Sequence, residues 1–153
     1  MKEAAIIMAM LAAGCSGPET FPHGRWQIKS AIIERDIGGR EVDFAKGRTN
    51  EWSSCIGAAE AQNPAERLIP GILSGSCRFA ASSFANGRMQ AQGECISGAM
   101  APLRVTIDGQ FSDSTLSARL VTVEPNAGLV VDQPGMQKVT TRVDVTGERK
   151  GPC

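Results

Sequence analysis

Five cysteines, one histidine and two tryptophans carry the widest chemical repertoire in this 153-residue chain. His23 stands alone, and general acid–base work needs a nucleophile or acid held within hydrogen-bond reach of it; the sequence identifies none, so His23 is expected to be solvated or merely packed. Ser74-Gly75-Ser76 lacks the G-x-S-x-G frame of a nucleophile elbow and precedes a strand pattern, so it reads as a turn. Asp108 and Asp113, like Glu41 and Asp43, have the spacing of exposed strand faces, from which a paired-carboxylate mechanism does not follow. Trp26 and Trp52 are the residues able to stack on a ligand, but aromatics make up only 5% of the chain and a core needs them, so core filling is expected. No catalytic residue and no cofactor site are identified, and the expectation is a protein that is not an enzyme.

The cysteines are more informative. Ala4 to Ala13 is an uncharged apolar run behind Met1-Lys2-Glu3, too short for a membrane-spanning helix of about 20 residues but of the length and small-residue ending of a secretory h-region. Leu11-Ala12-Ala13-Gly14-Cys15 then resembles the lipobox of bacterial lipoproteins. The resemblance implies cleavage between Gly14 and Cys15 and lipid on Cys15, and Ser16 in the following position implies the outer membrane, facing the periplasm. Each acyl chain contributes about 0.8 kcal/mol per buried methylene, and stable anchoring takes two. The expected organisation is therefore a signal peptide at 1–14, a lipid-anchored tether at 15–23 and one domain at 24–153.

Cys55, Cys77, Cys95 and Cys153 remain, an even set in a chain bound for an oxidising compartment. No two of them form a C-x-x-C pair and the histidine lies far upstream, so disulfides are expected and a metal site is not. Cys77 to Phe84, then Ala85-Asn86-Gly87, then Arg88 to Cys95 reads as a β-hairpin, with Asn-Gly supplying the positive φ of a tight turn. A three-residue loop at 85–87 sets Phe84 opposite Arg88, Ser83 opposite Met89, Ala81 opposite Ala91, Phe79 opposite Gly93 and Cys77 opposite Cys95. A non-hydrogen-bonded position brings such a pair close enough to bridge. Elimination pairs Cys55 with Cys153.

Alternation of apolar and polar residues extends this pattern. Leu103 to Phe111 has an apolar residue or glycine at every odd position, and Leu116, Ala118 and Leu120 continue it after Ser112-Asp113-Ser114, a second hairpin. Val139, Val143 and Val145 mark a last strand, and Trp26, Ile28 and Ile32 a first one. Only Ile56 to Leu68 looks helical, split by Asn63-Pro64 into two short pieces. The fold class is mainly β: an antiparallel meander curled into a half-barrel or barrel, with the short helical segment after Cys55 over one opening or edge. Glu124 to Gly135 forms a loop whose Leu129-Val130-Val131 is strand or exposed contact. With few large side chains, the core is expected to rest on small aliphatic residues helped by the disulfides.

Lys and Arg number 16 against 16 for Asp and Glu, and without a clustered basic surface nucleic acid is not an expected partner. Gly24-Arg25-Trp26-Gln27, Cys55 leading into Ile56-Gly57-Ala58-Ala59-Glu60-Ala61, the cysteine-flanked hairpin, and the terminal Gly147-Glu148-Arg149-Lys150-Gly151-Pro152-Cys153 together resemble the DUF3617 family of small proteobacterial lipoproteins and periplasmic proteins. The resemblance implies a fold and an envelope location and carries no activity. Two roles follow for an envelope-anchored chain: a non-enzymatic binding module that holds an apolar ligand or an envelope protein, or an inhibitor that inserts a loop into an envelope-directed enzyme such as a lysozyme. A cavity of several hundred Å3 favours the internal ligand, whereas a filled core with a protruding loop favours the inhibitor.

Overall fold

The computed structural model describes residues 17–69, 76–96, 102–125 and 138–153; Cys15 with the signal segment, Ser74-Gly75 and Leu129-Val130-Val131 lie outside them. Eight strands form one antiparallel sheet: β1 (Gly24–Ile37), β2 (Arg40–Glu41), β3 (Thr49–Ile56), β4 (Ser76–Ala85), β5 (Arg88–Ile96), β6 (Leu103–Phe111), β7 (Thr115–Glu124) and β8 (Val139–Gly151). From β4 to β8 the strands pair with their sequence neighbours, the meander that the alternation predicts, and β8 then pairs with β1. On its other side β1 meets β3 along Gly24–Ala31 and β2 at Asp36 and Ile37.

The sheet does not close into a barrel. β3 and β4 are its edges, and between them runs a 3-10 turn (Glu60–Gln62) followed, after Asn63-Pro64, by a one-turn helix α1 (Ala65–Leu68). Ala61, Ala65, Leu68 and Ile69 are buried in the same core as Ile56 of β3 and Phe84 of β4, so both edges curl toward one interior and the helical segment fills the gap. Ser54 Oγ on β3 donates to the Arg67 carbonyl at 2.9 Å, pinning the helix to that edge. Ile56 belongs to the strand and is fully buried, so the helical segment starts later than Ile56.

The β4–β5 hairpin corrects the expected register. Asn86 and Gly87 have φ of 54° and 73°, and Ala85 faces Arg88, so the loop has two residues, the number whose turn twist matches the strands. Phe84 therefore faces Met89 and Ser82 faces Ala91. A one-residue slip moves a strand's side chains to the other face, but Ala80 is an extra residue between Phe79 and Ala81 that restores the phase. Below it Phe79 faces Gly93, and Cys77 faces and bridges Cys95 with Cα atoms 4.0 Å apart. Cys55 is bonded to Cys153, 5.7 Å apart at Cα, which ties edge strand β3 to the end of β8 across β1.

Residues 17–23, expected as part of a tether, lie on the domain. Phe21 is 1% exposed, its ring centroid 4.9 Å from Trp26, 5.1 Å from Phe111 and 6.2 Å from Phe84. Trp26 Nε1 donates to the Pro22 carbonyl at 3.0 Å, satisfying the indole inside the core. The core is thus less purely aliphatic than expected: Val105, Ile107, Leu120 and Val143 fill its middle, and an aromatic cluster closes the end that carries the β4–β5 and β6–β7 turns. We call this end the base and the opposite one the far end.

Candidate functional site

The sequence-derived candidates are not brought together. Trp26 is core, and Trp52 on β3 is partly buried against it. His23 is exposed at the base, where its carbonyl accepts from Arg149 Nε at 2.7 Å. Asp108 faces outward on β6 and accepts from Gln90 Nε2 at 3.1 Å, while Asp113 sits in the β6–β7 turn. The outer face of the sheet, with Gln90, Asp108, Arg119 and Asp144, carries cross-strand polar pairs such as Arg119 to Asp144 at 3.2 Å and reads as solvated. Among the described residues no group of three His, Cys, Asp or Glu is placed to hold a metal ion, and no helix is long and apolar enough to cross a membrane.

Among the described residues the interior is close-packed. The space enclosed by Leu68, Ile69, Phe84, Met89, Ile107 and Leu116 amounts to about 20 Å3, room for about one water and far below the 300–1,000 Å3 of a small-molecule pocket.

What stands out is an arm built where β1 runs past the start of β3. The chain turns at Gly38-Gly39, pairs back through β2, and makes a second tight loop at 43–47 before β3 begins. Gly47 N donates to the Ile32 carbonyl at 2.8 Å, Ile32 N to the Arg48 carbonyl at 3.0 Å and Val42 N to the Arg35 carbonyl at 2.9 Å. Within the loop, Lys46 N reaches the Asp43 carbonyl and Arg48 N the Ala45 carbonyl, both at 3.1 Å. Ala45 adopts φ of 69°, a left-handed conformation that costs a residue with a Cβ on the order of 1 kcal/mol and persists only where its surroundings hold it.

That loop displays Phe44, 64% exposed. The Arg35 guanidinium lies 5.4 Å and that of Arg48 5.3 Å from its ring centroid, within range of cation–π attraction. Arg35 Nε is shielded from solvent without a hydrogen-bond partner among the described residues. Lys46 Nζ meets Glu41 Oε1 at 2.6 Å; this hydrogen bond, then the lysine's charge, holds the Glu41 carboxyl below its ordinary range, and the same contacts hold the Lys46 amine above its own. Arg142 of β8 pairs with Glu34 at the root of the arm. Ile37 and Ile96, 37% and 52% exposed, lie at the far end too, since Ile37 pairs with Arg40 beyond the β3 contact and Ile96 ends β5. A fixed aromatic between two guanidinium groups has the composition of a contact anchor, because aromatic and Arg side chains dominate the energetics of protein interfaces.

Sequence reasoning did not single out Phe44. Its signal is a lone aromatic in the polar stretch Asp43-Phe44-Ala45-Lys46-Gly47 of a chain with five phenylalanines in all.

A family model described as a protein of unknown function, DUF3617, matches residues 21–153. The match begins at Phe21, the first core residue among the described residues. No curated protein and no solved structure matches the chain.

Proposed function

Because the chain belongs to the DUF3617 family of proteins of unknown function, a membership that carries a fold and no activity, we propose from its own residues that it is an envelope-anchored lipoprotein whose β domain is a non-enzymatic interaction module. The lipobox-like Leu11 to Cys15 supports the anchor, with Ser16 favouring the outer membrane. The observation that carries the interaction reading is the pairing of a filled interior with an exposed, braced aromatic: about 20 Å3 inside, and Phe44 presented between Arg35 and Arg48 outside. The space of about 20 Å3 among the described core residues favours a partner protein met on the surface over an apolar ligand held within the curved sheet. Inhibition of an envelope-directed enzyme such as a lysozyme is a specific form of that contact, favoured by the arm being a compact protruding loop.

The test places a photo-crosslinking phenylalanine analogue at position 44 and, as a control, at Gln90 on the outer face, in cells that export the full-length protein. An adduct of defined mass from position 44 alone is the expected result. Equal adducts from both positions, or none, would overturn the role of the arm, and membrane retention of a fully processed Cys15→Ser protein would overturn the anchor. Titration of a lysozyme with the purified domain distinguishes the inhibitor form: stoichiometric loss of lytic activity, abolished by Phe44→Ala, supports it.

A further inference from the structure

The segment leading from the anchor site into the domain is docked rather than free, and it docks at one end. Gly87 N, in the β4–β5 turn, donates to the Pro18 carbonyl at 3.0 Å, and Phe111 N donates to the Gly87 carbonyl at 2.8 Å, so residues 17–18 join the hydrogen bonding of the sheet's base. Gly17 approaches Gly87 so closely that a Cβ on Gly17 would stand 2.5 Å from the Gly87 Cα. Buried Phe21 fixes the segment three residues further on. Consecutive Cα atoms are 3.8 Å apart, so Cys15 can lie at most about 7.6 Å from Gly17.

We propose that the base of the sheet is a membrane-facing surface that meets lipid headgroups, and that the arm carrying Phe44 points away from the bilayer. This rests on the lipid-anchor reading of Cys15. The register places the rest of that surface: Arg88 pairs with Gln110, Thr115 with Glu148, and Arg25 with Gly151, which gathers the 86–87 and 112–114 turns and the ends of β8 and β1 on one rim. Arg25, Arg88, Arg149 and Lys150 stand there with Glu19, Asp113 and Glu148, the last paired with Lys150. The Arg25, Arg88 and Arg149 guanidinium groups on that rim suit anionic headgroups. The exposed apolar residues Ile37, Phe44 and Ile96 lie at the far end, so the bilayer does not compete for them. A tether this short converts an anchor into an orientation.

Two lysines make a matched pair of probes: Lys150 on the base rim and Lys46 on the arm are each ion-paired to a glutamate and have similarly exposed side chains, 52% and 45%. The full-length lipidated protein is floated on phosphatidylcholine/phosphatidylglycerol vesicles, acetylated with a membrane-impermeant amine reagent, and compared with the same protein in detergent by peptide mass spectrometry. Lys150 labelling falls several-fold on vesicles while Lys46 labelling is unchanged. Insertion of a ~12-residue Gly/Ser linker between Ser16 and Gly17, flexible over tens of ångströms, leaves flotation intact and restores Lys150 labelling. Flotation with Lys150 and Lys46 labelled as in detergent overturns the orientation while leaving the anchor, and persistent Lys150 protection in the linker variant overturns the short tether as its cause. Failure to float overturns the anchor reading itself and the orientation with it.

Discussion

Replacing Phe21 with alanine should cost this domain a large part of its stability, although a reading of residues 15–23 as a tether gives the substitution no effect. The ring is 1% exposed and contacts Trp26, Phe84 and Phe111 at the base of the core. Burial of a phenylalanine side chain contributes about 1.5–3 kcal/mol by area. The void left among rigid aromatic neighbours adds a cavity term, and measured Phe→Ala changes run to about 3–5 kcal/mol. Against a total of about 5–15 kcal/mol that is a drop of roughly 10–20 °C in Tm for a domain of this size. The assay is guanidinium unfolding followed by Trp fluorescence on protein beginning at Ser16 with both disulfides intact, where the midpoint should move by on the order of 1 M. Thr20→Ala, at an exposed neighbour, serves as the control and should stay within about 0.5 kcal/mol. A Phe21→Ala loss below about 1 kcal/mol would refute the docking of this segment, and with it the short tether.

The two bridges should not be equivalent: on the chain-entropy argument the 98-residue separation of Cys55 and Cys153 is worth about 4.7 kcal/mol and the 18-residue separation of Cys77 and Cys95 about 3 kcal/mol. Cys153→Ser should therefore lower the urea midpoint more than a Cys77→Ser/Cys95→Ser double variant, whose hairpin keeps its Asn86-Gly87 turn. Gly109→Ala should destabilise by about 1–3 kcal/mol in a thermal melt, because its Cβ would lie 2.4 Å from the Ser117 carbonyl oxygen and 2.6 Å from the Ala118 Cα across the β6–β7 ladder; a neutral result would mean that the ladder yields there. Finally, since Glu41 is held below and Lys46 above the ordinary range, their pairing is complete at neutral pH. It is lost as pH falls through the lowered carboxylate value or rises through the raised amine value. Carboxyl NMR titration should show Glu41 returning toward the ordinary glutamate range in Lys46→Met.

Much of this fold was legible where one face of a strand is wet and the other dry. Leu103 to Phe111 and Leu116 to Leu120 advertise their period in every second residue, and the burial pattern follows it. The cysteine pairing was readable because a hairpin turn fixes what lies opposite what, although the two-residue turn and the compensating bulge at Ala80 were not: two errors of one residue cancel before Cys77, and alternation alone cannot locate an insertion. β3 gave little signal because Thr49-Asn50-Glu51-Trp52-Ser53-Ser54 is an edge strand whose residues are largely exposed on both faces. The pairing of β1 with β8 leaves no local trace, since neither strand's sequence names its neighbour. Phe44 was missed for a different reason: its position depends on a loop closed by backbone hydrogen bonds and a left-handed Ala45, and no periodicity encodes either.

The partnership of the first and last long strands also sets a schedule. Along nearly its whole length β1 borders β8, from Arg25 against Gly151 to Ile37 against Val139. The hundred or so residues between them separate the arrival of the two strands, and until β8 arrives β1 can pair with β3 but keeps its other edge open. The meander from β4 to β7 can zip by local steps in that interval, whereas the junction that makes the sheet continuous is a long-range closure of the slow kind. The Cys55–Cys153 bond comes later still, since Cys153 lies just beyond β8. A folding molecule thus carries an unpaired edge until β8 arrives, and its yield should depend on whatever shields that edge in the meantime.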